Sequence, residues 1–106
     1  MSTVQDEEKW LNRQAEDVRK VFIETALITS EDFFAPFAPI CAATGLSRPV
    51  VRRACRHLRR RGLLGFQAGL FSESTGMPAG AGYGVTRAGI DLFNWIEYGD
   101  EPEVKP

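Results

Sequence analysis

Apolar residues recur at Trp10, Leu11, Ala15, Val18, Val21, Phe22, Ala26 and Leu27 with polar residues between them. This i, i+3/i+4, i+7 spacing predicts one long amphipathic helix over about 6–28. Asp6, Glu7 and Glu8 favour its start, because the free amides of a first helical turn carry partial positive charge. The period fades over 29–38, where Ser30 offers a cap, Pro36 and Pro39 interrupt backbone hydrogen bonding, and Phe33, Phe34 and Phe37 supply large apolar groups. A short helix fits from Phe37 or Pro39 to Thr44, ended by Gly45.

Ser47 is placed to cap the next helix, and Pro49 suits its first turn, where the missing amide has no carbonyl to bond. This helix is expected to run to about Arg61 and stop at Gly62. At about 100° per residue, Val51, Ala54, Cys55 and Leu58 fall in one stripe, with Arg52, Arg53, Arg56 and Arg60 opposite. From Leu63 to Phe71 apolar and small residues follow, then a stretch from Ser72 to Gly82 rich in Gly, Ser and Pro, and a brief returning strand over Tyr83 to Thr86. That order predicts a hairpin with a long, flexible tip. Thr86 can cap a last helix through about Tyr98, with Ile90, Phe93 and Ile96 on one face and Leu92 and Trp95 on others. The expectation is a single domain over 1–98, mainly α with a small β-hairpin (α+β) in the order α-α-α-β-β-α, and a flexible acidic tail over 99–106.

Charge changes this picture most. The formal net charge is −1, yet seven arginines lie between Arg48 and Arg61, and no Asp or Glu occurs from Phe33 to Ser72. That stretch is +7, whereas 1–32 and 73–106 are each −4. A basic centre between acidic arms predicts a polyanionic partner. The apolar stretches fall short of the roughly 20 residues of a membrane span, so neither an anchor nor a signal peptide is expected and the cytoplasm is the default location.

Chemistry of other kinds has little support. His57 is the only histidine and lies among arginines with no carboxylate close in sequence, so a solvated helix face is expected rather than a base or a metal ligand. The glycines at 76, 80, 82 and 84 lack the following Lys-Ser/Thr of a phosphate-binding loop. Cys41 and Cys55 have no close-spaced partner and read as reduced core thiols, although their places on two packed helices leave an oxidation switch open. No enzyme activity, cofactor or metal is expected.

Two helices joined at Gly45, the second cationic on its outer face and followed by a hairpin, outline a helix-turn-helix with a wing. The run Ala43-Thr44-Gly45-Leu46-Ser47, with Val50, Val51, Arg53, Leu58, Gly62, Leu63 and Leu64 after it, resembles the helix-turn-helix of bacterial and phage winged-helix regulators. Tyr83-Gly84-Val85-Thr86-Arg87-Ala88-Gly89 is similar to the step from the second wing strand into the last helix of MarR-like and PadR-like regulators. The resemblance covers about 33–93. It implies a domain that dimerises and binds double-stranded DNA at a palindromic site, with the 47–61 helix in the major groove. Carried over position by position, Ser47, Arg48, Pro49 and Val50 open the recognition helix. Arg48, Arg52 and Arg53 are assigned to bases, and Arg56, His57, Arg59 and Arg60 to the backbone. Arginine suits base reading because its planar fork bonds O6 and N7 of guanine together.

Two departures from that pattern matter. The tip from Ser72 to Gly82 carries no Lys or Arg to meet a minor groove, and the C-terminal region is short. A homodimer would therefore use the first helix, the last helix or both, with Trp10, Leu11, Phe93, Trp95 and Ile96 as candidate contacts. The competing reading is a protein-interaction module whose basic face docks an acidic partner. RNA ranks lower, because no aromatic residues interleave the arginines to stack unpaired bases.

Overall fold

The computed structural model describes residues 3–71 and 78–102. Its elements are α1 (Val4–Asn12), α2 (Glu16–Ile28), α3 (Phe37–Thr44), α4 (Arg48–Arg61), β1 (Leu64–Phe71), β2 (Pro78–Val85) and α5 (Arg87–Tyr98). The protein is mainly helical with one small antiparallel sheet, in the order α-α-α-α-β-β-α.

The added helix comes from a break in the one expected over 6–28. Nothing local forces it, since Arg13, Gln14 and Ala15 are neither Gly nor Pro. Side chains close the end of α1 instead: Gln14 Nε2 donates to the Trp10 carbonyl at 2.8 Å, and Arg19 Nη1 donates to the carbonyls of Asn12 and Gln14. These bonds satisfy acceptors that a continuing helix would have used, and the chain turns. At the other end of α1, Thr3 and Asp6 form a reciprocal capping box. The bonds from Thr3 hold the Asp6 carboxyl below its usual range.

The turn between α3 and α4 is built locally. Gly45 adopts φ 72°, where a Cβ is disfavoured, and its amide donates to the Cys41 carbonyl at 2.8 Å. Thr44 Oγ1 donates to the Ile40 carbonyl (2.8 Å) and accepts from the Leu46 amide (3.2 Å). Ser47 occupies the cap position of α4 with extended backbone but makes no side-chain cap bond, so the fixed φ of Pro49 and the Val51 amide to Ser47 carbonyl bond (3.0 Å) start that helix. α4 ends at Gly62 (φ 87°), with the Leu63 amide returning to the Leu58 carbonyl.

The returning strand is longer than expected, beginning at Pro78 rather than Tyr83. Leu64 pairs with Val85, Gly65 with Gly84, and Phe66 with Tyr83, before the register shifts between Gln67 and Leu70. Ala35 adds a bridge on the other side of β2, exchanging two 2.9 Å bonds with Tyr83. The hairpin tip at 72–77 and the last part of the tail at 103–106, where flexibility is expected, lie outside the described residues. Thr86 caps α5 as expected, accepting from the Gly89 amide at 3.1 Å while donating to the Gly62 carbonyl at 2.7 Å. It thus ties the end of α4 to the start of α5.

The core gathers Leu11, Phe22, Ile40, Val51, Leu58, Leu64, Val85 and Leu92 from every element. Leu92 is fully buried, whereas Ile90, Phe93 and Ile96, which share another face of α5, are partly buried around it. Among the described residues, no helix is long and apolar enough to cross a membrane.

Candidate functional site

α4 packs on the core through Val51, Ala54, Cys55 and Leu58, all buried, which turns the opposite side outward. Ser47, Arg48, Pro49, Arg52, Arg53, Arg56, Arg59 and Arg60 are exposed there, and Val50 and His57 are half-buried. The sequence-assigned residues therefore share one helix and its surroundings, but their environments differ.

One flank of α4 lies along aromatic side chains. The Arg48 guanidinium sits 5.4 Å from the centre of the Phe37 ring, and the Arg59 guanidinium 5.1 Å from that of Phe66. The other flank is held by α1. His57 Nε2 donates to Gln14 Oε1 at 2.7 Å, and its ring stacks on Trp10 with centres 5.2 Å apart. Arg61 Nε donates to Glu7 Oε2 at 2.8 Å while its guanidinium lies 5.2 Å from the Trp10 ring centre. His57 is thus half-buried rather than fully solvated, with Trp10 of α1 against its ring and Gln14, just after α1, as its partner. Sequence proximity could not reveal this, since its partner lies 43 residues away.

Between the two flanks stand Arg52, Arg53, Arg56 and Arg60. Among the described residues, Arg61 is the one arginine of α4 that pairs with a carboxylate; the other ion pairs join Arg87 to Glu31 and Asp91. Helix electrostatics account for part of this arrangement only. Arg59, Arg60 and Arg61 lie in the last turn, where positive charge is favourable, but Arg48 occupies the first turn, where it is not. Stacking on Phe37 offsets part of that cost at Arg48.

A groove of about 430 Å³ runs between the start of α2 and the outer side of α4. Its apolar lining comes from Ala15, Val18, Val50 and Ala54, and its charged lining from Arg53, Arg56 and Arg60 with Asp17 and His57 beside them. Such a surface can receive an anion, and its arginines can donate hydrogen bonds in fixed forks.

The thiols offer a different environment. Cys55 is buried and Cys41 half-buried, and desolvation, with Cys41 as a lesser cause, pushes the Cys55 thiol up from 9.0 to about 12. It is therefore a protonated core group at neutral pH. Among the described residues, no three His, Cys, Asp or Glu side chains are grouped to hold a metal ion.

The candidate dimer contacts differ in exposure, with Leu11 in the core and the rest half-buried. Leu11 is buried, and Trp10, Phe93, Trp95 and Ile96 pack against the core. Trp95 Nε1 also donates to Glu8 Oε1 at 3.3 Å. The large apolar side chains left most exposed are Leu27, Phe33, Phe66 and Tyr98.

No family model matches the chain, and no curated protein or solved structure matches it either.

Proposed function

We propose that the protein binds double-stranded DNA sequence-specifically, as a small winged-helix transcriptional regulator of the repressor type acting in the cytoplasm, with α4 in the major groove. The observation that carries this reading is the row of exposed arginines on α4 without carboxylate partners among the described residues, held on a helix whose other side is core. An α-helix fits the major groove, and unpaired guanidinium groups meet both phosphates and guanine edges. Arg52 and Arg53 are the base readers in this reading, and Arg56 and Arg60 contact the backbone. A homodimer on a palindromic site belongs to the same proposal. Its contacts would come from the first helix, the last helix or both, where Trp10, Phe93, Trp95 and Ile96 are partly buried and Tyr98 is exposed, while Leu11 is buried in the core.

Selection of bound sequences from a random duplex pool tests the reading. A defined, palindromic site is the expected result; a pool that stays random removes sequence-specific binding. A second reading, docking of an acidic protein, draws on the apolar floor of the α2–α4 groove, formed by Val18, Val50 and Ala54. Absence of duplex affinity near physiological salt would favour it over the first.

A further inference from the structure

Three rings from separate elements form a continuous ridge beside α4. Phe37 of α3 lies 5.8 Å from Tyr83 of β2, and Tyr83 lies 5.3 Å from Phe66 of β1, centre to centre. The ridge ends under Arg48 at one side and Arg59 at the other. Its middle ring is fixed: Tyr83 is 4% exposed, pairs with Phe66 in the hairpin register, and bonds Ala35 through both backbone groups.

The helix geometry explains why one ridge serves both arginines. Eleven residues of α-helix bring Arg59 to within about 20° of Arg48 around the axis and about 16 Å along it. Both therefore leave the same flank of α4, which Arg52 shares at about 20° from Arg59, and Arg56, Arg60 and Arg53 lie about 60–120° further round. A guanidinium lying on a ring uses its face and keeps its in-plane donors free. Stacking thus orients Arg48 and Arg59 without consuming their hydrogen bonds, in contrast to Arg61, whose Nε is spent on Glu7.

We infer that Phe37, Tyr83 and Phe66 are positioning residues that hold Arg48 and Arg59 as two fixed clamps on phosphates of one DNA strand, and so set where the free arginines between them enter the groove. The inference rests on the duplex-binding reading and makes Arg48, assigned to bases from the sequence, a backbone anchor instead. Side chains ordered before binding lose less freedom on binding, so the ring contributes to affinity through the arginine it orients. Base-independent contacts of this kind set register and carry no sequence information.

The test is a double-mutant cycle on Phe66 and Arg59, with binding to a labelled random-sequence duplex read by fluorescence anisotropy at low salt and folding checked by thermal unfolding. Phe66→Leu is expected to weaken binding about two- to fivefold, the range of a partly exposed cation–π contact. The same change made on top of Arg59→Ala is expected to do nothing further, and Phe66→Tyr, which keeps the ring, to retain affinity. An undiminished Phe66→Leu effect in the absence of Arg59, a Phe66→Tyr loss equal to that of Phe66→Leu, or no Phe66→Leu effect at all would overturn the clamp. Failure of the wild-type protein to bind duplex would overturn the duplex reading itself, a result distinct from binding that ignores the ring.

Discussion

Arg61 and Glu7 join across 2.8 Å, and this pair fastens the first helix of the chain to the end of the arginine-rich one. The contact spans 54 residues and is reinforced by Trp10, which lies against both Arg61 and His57. α1 thereby withholds one of the seven arginines of α4 from any external partner and leaves the outward row free.

Glu7→Gln is expected to release Arg61. If the freed guanidinium reaches a phosphate, the slope of log K against log salt steepens by about 0.9. The stability loss is expected to stay within about 1 kcal/mol, because the Arg61 side chain is one-third exposed. Duplex-binding titrations at several salt concentrations, paired with urea unfolding, check both.

Two glycines, Gly84 in β2 and Gly89 in α5, allow close packing around the hairpin. A Cβ on Gly84 would stand 2.6 Å from Cδ1 of Phe34, and one on Gly89 would collide with the backbone carbonyl of Leu63. Gly84→Ala is expected to cost about 1–3 kcal/mol, as overpacked sites do, and Gly89→Ala more, because a backbone atom cannot rotate away. Urea unfolding of the two variants gives the order.

Thr25 is fully buried, and its Oγ1 is the buried side-chain polar atom without a hydrogen-bond partner among the described residues. Removing an unsatisfied buried hydroxyl at nearly constant volume is expected to stabilise the fold by about 1 kcal/mol. Thr25→Val should therefore raise the unfolding midpoint, and a lowered midpoint would mean that the hydroxyl is satisfied in solution.

Cys55 sets an alkaline limit. Burial raises its thiol from 9.0 to about 12, so its contribution to stability is complete below about 9 and is lost as pH rises toward 12, where the unfolded chain ionises first. The stability advantage of wild type over Cys55→Ala should shrink across that window in denaturant titrations. Native protein at pH 8 should also leave Cys55 unlabelled by iodoacetamide, because little thiolate is present to react. Labelling without unfolding would reopen a redox role for the thiol pair.

Local chemistry made the centre of the fold legible in the sequence. Gly45, Pro49 and Gly62 mark the bounds of α3 and α4, Thr86 marks the start of α5, and the 3.6-residue period separates the buried stripe of α4 from its arginines. What could not be read depends on partners far along the chain. The break after Asn12 is made by the side chains of Gln14 and Arg19 rather than by a helix breaker. The aromatic partners of the arginines come from α1, α3 and β1, so an arginine run without interleaved aromatics in sequence is flanked by them in space. His57 shows the same limit, since its surroundings are set by Trp10 and Gln14 and not by the neighbouring arginines.

The central claim, that the outer row of α4 is a duplex-binding face, is tested most directly by the salt dependence of duplex affinity in wild type and in Arg56→Ala. With about six phosphates neutralised, log K should fall with log salt at a slope near −5, and the variant should bind more weakly with a slope shallower by about 0.9. A flat salt response, or an Arg56→Ala variant indistinguishable from wild type, would contradict it.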